Sequence, residues 1–455
     1  MNKPFDFRKG FSVDKDAKYG EKHPYIDNGT ALIDPKRYYD PQEAEREWDK
    51  MWTKTWLMAG LASDCPNVGD VFKFDVGRAS IIVVRTRPEE LKAFHNFCAH
   101  RANTLVTTDF GTVGKCFHCS FHGWEYDLDG NLVKIRDEEI FRPDVIAHRP
   151  GLEEVKIGLW GNFVFINMDP DAEPLMDFLG DIPKHLEPYN LERFRPYRDE
   201  ELTWDANWKT AAEAFLEFYH GDDVHPEVLG NSETYRMQYD LFPNGHGRMI
   251  IPVGLPREFN DGDKVPPETQ QMLGLWDGKP EDYPELDLSS GDFKKALVDT
   301  KRRWAAKYGL DFSGLSDGQV TDDWNYSFFP NMTFNTFADV LQIQRWLPDA
   351  TNPERSRYVT MTLAPPVDDP DYRIFDINNF GPDAHGPMNF DGKVRPPRER
   401  HEDTADFGYV LNQDIRLVPE VQKGIKSPGF KGALLGEAEV RIRHYLVEID
   451  RYLER

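Results

Sequence analysis

A chain of 455 residues with 30 Phe, 18 Tyr and 11 Trp is long enough for two cores, and its 55 Lys+Arg against 79 Asp+Glu leave a formal charge of −24. Such an acidic surface repels phosphate backbones and anionic lipid heads, so nucleic acid and membrane are excluded as expected partners. No apolar run is long enough to span a bilayer, and the N-terminus MNKPFDFRKGFSVDKDAKYG lacks the apolar stretch of a secretory signal, so the expected location is the cytoplasm.

In chain order, residues 44–56 (AEREWDKMWTKTW) place Trp48, Met51, Trp52 and Trp56 at helical intervals and predict an amphipathic helix. From 71 to 97 the period falls to two, in VFKFDV, SIIVVRT and LKAFHNF, which predicts short antiparallel strands. Asp129-Gly130 predicts a hairpin and GNFVFINM a further strand. Residues 46–165 therefore read as a small all-β domain, preceded by an arm at 1–45 packing on the larger domain. Beyond it, helical spacing appears at 207–220, 293–307 and 434–454, and strand spacing through 325–365. Residues 254–323, rich in Pro, Gly, Asp and Glu around one helix, read as a lid or as an inert insertion. The expected class is α+β, with residues 166–455 forming a second domain of helices on an antiparallel sheet.

Three of the four cysteines crowd into one short stretch, which in a cytoplasmic chain favours metal over disulfide. Cys98-Ala-His100 and Cys119-Ser-Phe-His122 offer two pairs, each one thiol and one imidazole. A Rieske [2Fe–2S] centre needs two cysteines on one iron and two histidines on the other, and the neutral imidazoles raise its potential above that of an all-cysteine cluster. Three other readings compete: a zinc site from Cys98, His100, Cys116 and Cys119; a redox Cys116-x-x-Cys119; and Cys116 and His118 as ordinary structural residues. Trp124 is placed to shield the histidine edge. Cys65, His95, His148, His185 and His444 have no ligand partner nearby in sequence and take the structural reading.

The string CAHRANTL…GKCFHCSFHGWEYDLDGNL resembles the Rieske ferredoxin domain of the aromatic-ring-hydroxylating oxygenase family, along residues 94–133. One departure is Ser120-Phe121, where the family usually carries Pro-Tyr.

The second dense run is N207-W-K-T-A-A-E213-A-F-L-E217-F-Y-H220-G-D-D-V-H225-P. On a continuous helix, Glu213, Glu217 and His220 fall at i, i+4 and i+7 on one face, costly to bury without a metal. His220 and His225 are five apart, so both reach one ion only if the helix widens or breaks near Gly221-Asp222-Asp223. Two histidines and a carboxylate form the facial triad of a non-haem iron site. Asp222 and Asp223 are too close in sequence to complete it, while Asp339, Asp376 and Asp414 all remain open. Aromatic residues in 324–330 and 332–337 line a cavity or form plain core.

Here the resemblance extends to the catalytic-domain signatures, and Asp414, in G-Y-V-L-N-Q-D414-I-R-L-V-P-E420-V-Q422-K-G424, matches the family's iron-binding aspartate. Glu217 matches a position often held by aspartate that bridges the iron histidine to a neighbouring subunit's cluster, and Ala214 stands where asparagine is common. Both departures separate the chain from the classical arene dioxygenases. The resemblance implies a small all-β Rieske domain plus a helix-grip, START-like catalytic domain. It also implies one [2Fe–2S] cluster held by Cys98, His100, Cys119 and His122, one mononuclear Fe(II) held by His220, His225 and Asp414, and Glu217 as the catalytic bridge. As a Rieske non-haem iron oxygenase the chain is expected to take O2 and NAD(P)H-derived electrons from a separate reductase, with or without a ferredoxin. Its expected assembly is a head-to-tail homotrimer, with or without a beta subunit. The first expected reaction is oxygenation of an aromatic or polycyclic substrate. Oxidative demethylation or cleavage of a quaternary ammonium or methoxy compound is the alternative, and a zinc-stabilised binding protein or a pure electron carrier lies outside the class.

Overall fold

A computed structural model describes residues 22–228, 232, 234, 235, 237–254, 263–265, 267–279, 286, 291–379, 385–401 and 406–455. Contacts divide the chain into two units. One runs Arg46–Phe178 with Asp349–Thr351; the other joins the segment ending at Glu45, Leu179–Pro348 and Asn352–Arg455.

In the smaller unit the period-two text becomes a meander of β2 (Asp70–Val76), β3 (Ala79–Arg87) and β4 (Glu90–His95), inside a sheet completed by β1 (Leu57–Leu61), β5 (Phe110–Thr112), β9 (Glu154–Trp160) and β10 (Phe163–Asn167). Ile82 opposite Phe94 and Val71 opposite Val84 set the register that buries one face. A second small sheet pairs β6 (Cys116–His118), β7 (Glu125–Asp127) and β8 (Leu132–Lys134). The Asp129-Gly130 turn joins β7 to β8 as expected. Asp127 Oδ1 accepts from the amides of Asp129 and Asn131, and Gly130 takes φ +85° with a would-be Cβ only 2.6 Å from the Phe94 ring, so no other residue fits.

The helix expected over 44–56 is split. An α-helix covers Pro41–Glu47, a wider turn follows over Trp48–Trp52, and Trp56 lies beyond, its indole N–H donating to the Glu173 carbonyl at 2.9 Å. Met51 and Trp52, in the wider turn, are both buried in the core.

The larger unit is built on β11 (Arg195–Trp204), β12 (Gln238–Leu241), β13 (Gly247–Ile251), β14 (Asp323–Phe328), β15 (Met332–Thr336), β16 (Leu341–Pro348) and β17 (Ser356–Ala364). Further along, β18 (Arg373–Phe375) pairs with β19 (His385–Met388), and β20 (Glu399–His401) joins the main sheet beside β11. The order is β12-β13-β14-β15-β16-β17-β11-β20, antiparallel throughout except that β20 runs parallel to β11. The fold is α+β, as expected.

Within 254–323, the described part holds the expected helix, Asp292–Lys307, and further helical segments at Pro267–Gln270, Gln271–Trp276 and Asp317–Thr321. The last has a reciprocal cap between Ser316 and Gln319. The remainder of that stretch lies outside the described residues. The C-terminal helix begins at Val440 rather than near 434, because Gly436 and Glu439 form a capped turn ahead of it.

Candidate active site

The two Cys/His pairs sit on loops beside β4 and β6. Cys98 and Cys119 adjoin, and His100 faces His122 with ring centroids 4.6 Å apart. The Nδ1 atoms of both histidines are buried and have no hydrogen-bond partner, the mark of ring nitrogens that await a ligand. Trp124 stacks on His100 at 4.7 Å and 9°, the shield that its position beside the second loop implied. Donors surround the sulfurs: the Tyr126 hydroxyl lies 3.2 Å from Cys98 Sγ, and Asn103 Nδ2 lies 3.7 Å from Cys119 Sγ. Burial raises the Cys98 thiol. Burial also acts to raise Cys119, but the amides of His122 and Phe121 outweigh it and hold this thiol below its ordinary value. Burial and His122 keep His100 below the usual imidazole range, hence neutral and able to ligate.

The donor set therefore fits a [2Fe–2S] cluster. Among the described residues neither the zinc set of Cys98, His100, Cys116 and Cys119 nor the four cluster candidates meet within 4.8 Å. Cys116 lies opposite Asp127 on β6, and His118 is exposed with Nδ1 3.6 Å from Glu125. Cys65 is buried with its thiol toward the Val83 carbonyl.

The second site departs from the continuous helix expected over 207–220. The helix Trp208–Glu213 ends at Glu213, and a new short helix begins at Gly221. The break thus precedes the glycine instead of falling at it, and the i, i+4, i+7 face does not form. Glu213 turns away to accept from the Tyr38 hydroxyl at 2.9 Å, where burial raises its pKa to about 7. Glu217 folds back onto its own loop, with Oε1 2.5 Å from His220 Nδ1 and Oε2 accepting from the amides of Tyr219 and His220.

Asp414 lies within the helix Tyr409–Ile425. His220 Nε2 lies 3.7 Å and His225 Nε2 3.4 Å from Asp414 Oδ1, and the two rings are 5.2 Å apart. These separations are long for hydrogen bonds and right for three ligands around an ion. Each Nδ1 is held from behind, His220 by Glu217 and His225 by Gln413 Oε1 at 2.6 Å, so both Nε2 lone pairs are aimed at Asp414. Burial acts to lower the His220 pKa, but Glu217 and Asp414 outweigh it and raise the pKa, the signature of a field that attracts a cation. This donor set fits a divalent iron.

The supports are local chemistry. Pro419 has no N–H, which frees the Ile415 carbonyl, and the Trp204 indole donates to it at 3.3 Å. Gln422 Oε1 accepts from the Asn207 amide and the Thr210 hydroxyl, tying the Asp414 helix to the helix before Glu217, whereas Glu420 makes only an exposed pair with Lys423. The other aspartates are occupied. Asp222 accepts from Thr234, Asp376 from Asn379 and the Asn378 amide, and Asp339 from Trp276 and from Lys301 at 2.8 Å in a pair whose side chains are each 1% exposed. Asp339→Ala is expected to destabilise the protein by about 3–5 kcal/mol through the stranded Lys301 ammonium, read as a lowered unfolding midpoint, with iron content unchanged. A second ligand-like group, Glu200, Glu399 and His401, lies where β11 meets β20, and none of the three lines the cavity described next.

That cavity, partly open to solvent, has His220, His225 and Asp414 in its wall together with Phe215, Phe218, Met249, Ile251, Trp276 and Phe375. The aromatic text of β14 and β15 behaves otherwise than a cavity lining. Trp324, Tyr326, Phe328 and Phe334 are buried core, and the alternate positions Asp323, Asn325 and Asn335, with Phe337, face the cavity. Sequence reasoning missed these polar residues, although the alternation D-W-N-Y-S-F carried the signal. It also gave Gln413 no role, although it precedes Asp414 in the quoted motif. Gln342, Gln344 and Asn378 left no comparable trace.

Residues 191–455 match the family model "Ring hydroxylating alpha subunit (catalytic domain)", and residues 55–143 match "Rieske [2Fe-2S] domain". The glycine betaine monooxygenase oxygenase subunit of Pseudomonas aeruginosa is 30% identical over 192 residues, 42% of this chain and 44% of that one. The biphenyl 2,3-dioxygenase subunit alpha of Rhodococcus jostii is 30% identical over 241 residues, 49% and 52% of the two chains. The carnitine monooxygenase oxygenase subunit of Escherichia coli is 29% identical over 251 residues, 53% and 64%. The chain thus spans about half the length of the curated relatives it matches. Among solved structures, the quaternary ammonium Rieske monooxygenase CntA in complex with L-carnitine aligns at TM-score 0.63 and 16% identity, over 95% of this chain and 99% of that one. Naphthalene 1,2-dioxygenase from Rhodococcus sp. bound to indole aligns at TM-score 0.63 and 18% identity, over 93% and 94%. At these identities the structural likeness speaks to fold alone.

Proposed function

The chain belongs to the ring-hydroxylating alpha-subunit family of Rieske oxygenases, and from that premise we propose that it is the terminal oxygenase component of a multicomponent enzyme acting on an aromatic or polycyclic hydrophobic substrate. The observation that carries this reading is the convergence of His220, His225 and Asp414 in the wall of a largely apolar cavity. We assign His220, His225 and Asp414 to the mononuclear iron, Cys98, His100, Cys119 and His122 to the [2Fe–2S] cluster, residues 46–165 to the Rieske domain and 166–455 to the catalytic domain; of the arm 1–45, residues 1–21 lie outside the described residues, and from Lys22 and His23 on it hydrogen-bonds to Tyr239 and Asp240 of the latter.

When bound, the cluster supplies electrons singly and the iron supplies the centre at which dioxygen is activated. The chain's own residues do the rest. Glu217 and Gln413 fix the imidazole tautomers, Phe215, Phe218, Trp276 and Phe375 exclude water and hold an apolar ring, and Trp124 covers the His100 edge. Electrons come from NAD(P)H through a separate reductase, with or without a ferredoxin. The working assembly in this reading is a head-to-tail homotrimer, with or without a beta subunit. Two exposed rings support a protein contact at each centre: Tyr219, 71% exposed, follows the Glu217 loop, and Phe121, 54% exposed, precedes His122. Among the described residues no helix is long and apolar enough to cross a membrane, and all four cysteines are free. A cytoplasmic location suits the assignment of Cys98 and Cys119 to the cluster, since a reducing compartment keeps such thiolates from pairing.

Demethylation or cleavage of a quaternary ammonium or methoxy compound is the second reading, favoured by the glycine betaine and carnitine enzymes among the relatives. Against the zwitterionic members of that class, the cavity wall holds the carboxyl groups of Asp323 and Glu217, which repel a substrate carboxylate.

The test is metal and acid-labile sulfide analysis of anaerobically purified protein, with visible and paramagnetic resonance spectra before and after dithionite. The expected result is red-brown protein with about three irons and two sulfides per chain and a low average g for the reduced cluster. Colourless protein with stoichiometric zinc, no sulfide and failed reconstitution overturns the reading.

A further inference from the structure

Two neighbouring acids at the start of β14 are treated in opposite ways. The carboxylate of Asp322 is saturated: Lys294 Nζ donates to it at 2.6 and 2.8 Å, the Val253 amide at 3.0 Å and the Thr321 hydroxyl at 3.2 Å. Asp323, which lines the cavity, receives one hydrogen bond, from Asn335 Nδ2 to Oδ2 at 2.9 Å, and its Oδ1 is buried with no partner. An ionised carboxylate offers about four acceptor positions, so most of this one is unused.

The bond it does have is the end of a directed chain. Arg441 Nη2 donates to Asn325 Oδ1 at 2.8 Å, Asn325 Nδ2 to Asn335 Oδ1 at 3.0 Å, and Asn335 Nδ2 to Asp323. A guanidinium can only donate and a carboxylate only accept, so the two ends force the orientation of both amides between them. Asn325 and Asn335 are opposite partners on β14 and β15, so the sheet register itself brings these two amides together. Burial pushes the Asp323 pKa up to about 7 against the opposing pull of Asn335 and Arg441, so an added donor would relieve a real cost. A second unused acceptor, Gln344 Oε1, lies on β16, at the end of an amide ladder in which Gln344 donates to Gln342 and Gln342 to Asn378. The unused acceptors of Asp323 and Gln344 call for a donor, and Phe215, Phe218, Trp276 and Phe375 in the same lining call for an apolar ring.

We propose that Asp323 is a specificity-determining subsite that seats an N–H or O–H donor on an otherwise apolar ring substrate, and that this anchor selects which carbon is presented to His220, His225 and Asp414. The proposal rests on the oxygenase reading and narrows it, since bare hydrocarbons leave the carboxylate unpaired and carboxylated substrates are repelled by it.

The experiment measures dissociation constants of 2-naphthol, 2-methoxynaphthalene and benzyltrimethylammonium under nitrogen by calorimetry, for the intact holoprotein and its Asp323→Asn and Asp323→Leu variants. Iron and sulfide content and the unfolding midpoint serve as controls of integrity. The expected result is that the wild type binds 2-naphthol about tenfold or more tightly than its methyl ether, and that the preference falls to about twofold or less in Asp323→Asn, whose amide keeps the shape and loses the acceptor. Equal affinity for naphthol and ether, absent naphthol binding, a preference that survives Asp323→Asn, or benzyltrimethylammonium binding as tightly as naphthol each overturns it. The binding readout needs no turnover, so the two readings separate. Donor preference without iron removes the oxygenase assignment alone; iron and cluster without donor preference remove this subsite alone.

Discussion

Asp414→Ala is expected to lower turnover by at least about 1000-fold, about 4 kcal/mol of transition-state stabilisation, with the loss falling on kcat. Among the described residues Asp414 is the only carboxylate that faces both His220 Nε2 and His225 Nε2, at 3.7 and 3.4 Å, and it is carried on a helix distant in sequence from both. Its removal leaves the two imidazoles in a wall that no longer balances a divalent charge. The measurement is iron content beside activity: mononuclear iron should fall to background while the cluster's sulfide and visible spectrum stay at wild-type levels. Retained iron with retained turnover would show that another group completes the site. Since Asp339 and Asp376 are committed to Lys301, Trp276, Asn378 and Asn379, neither can move in cheaply.

Glu217→Gln is expected to cost about 100-fold in turnover, at the upper end for a group that orients a metal ligand, with both metal centres still bound. Glutamine keeps one carbonyl acceptor, but its amide nitrogen cannot accept. Either the His220 Nδ1 contact or the bonds from the Tyr219 and His220 amides must be given up. The ring then loses the carboxylate that fixes its tautomer. Reading single-turnover oxidation of the reduced protein by O2 separates this from a merely structural effect, because a structural defect changes iron content or the unfolding midpoint, whereas loss of the bridge slows cluster oxidation at full iron loading. Wild-type activity would end the assignment of Glu217 as the bridge.

Much of the architecture was legible because it depends on neighbours in sequence. Period two through 71–97, the Asp129-Gly130 turn and the helix over 293–307 all appear where local patterning puts them, since strand pleat and helix pitch act over a few residues. The helix over 207–220 was misread for a physical reason. Its spacing matches one helical face, but Glu217 satisfies three donors by folding onto its own loop, and Glu213 is drawn to Tyr38 from the other end of the chain's sequence. Side-chain hydrogen bonds outbid a short backbone helix there. The split at Trp48–Trp52 is similar: periodicity shows which residues are apolar, and core packing decides that adjacent Met51 and Trp52 both go in.

What the sequence shows without a fold is which donors lie close along the chain, Cys98 with His100, Cys119 with His122 and His220 with His225, because a few bonds of backbone keep each pair near in any conformation. The tertiary structure alone decided what long-range pairing must supply. The helix Tyr409–Ile425 carries Asp414 and Gln413 to the two histidines, Arg441 in the last helix reaches Asn325, and the register of β14 on β15 turns Asp323, Asn325 and Asn335 into the cavity and Trp324, Tyr326 and Phe334 away from it. A one-residue slip of that register would exchange the two faces, so the chemistry of the cavity is a property of strand pairing and not of composition.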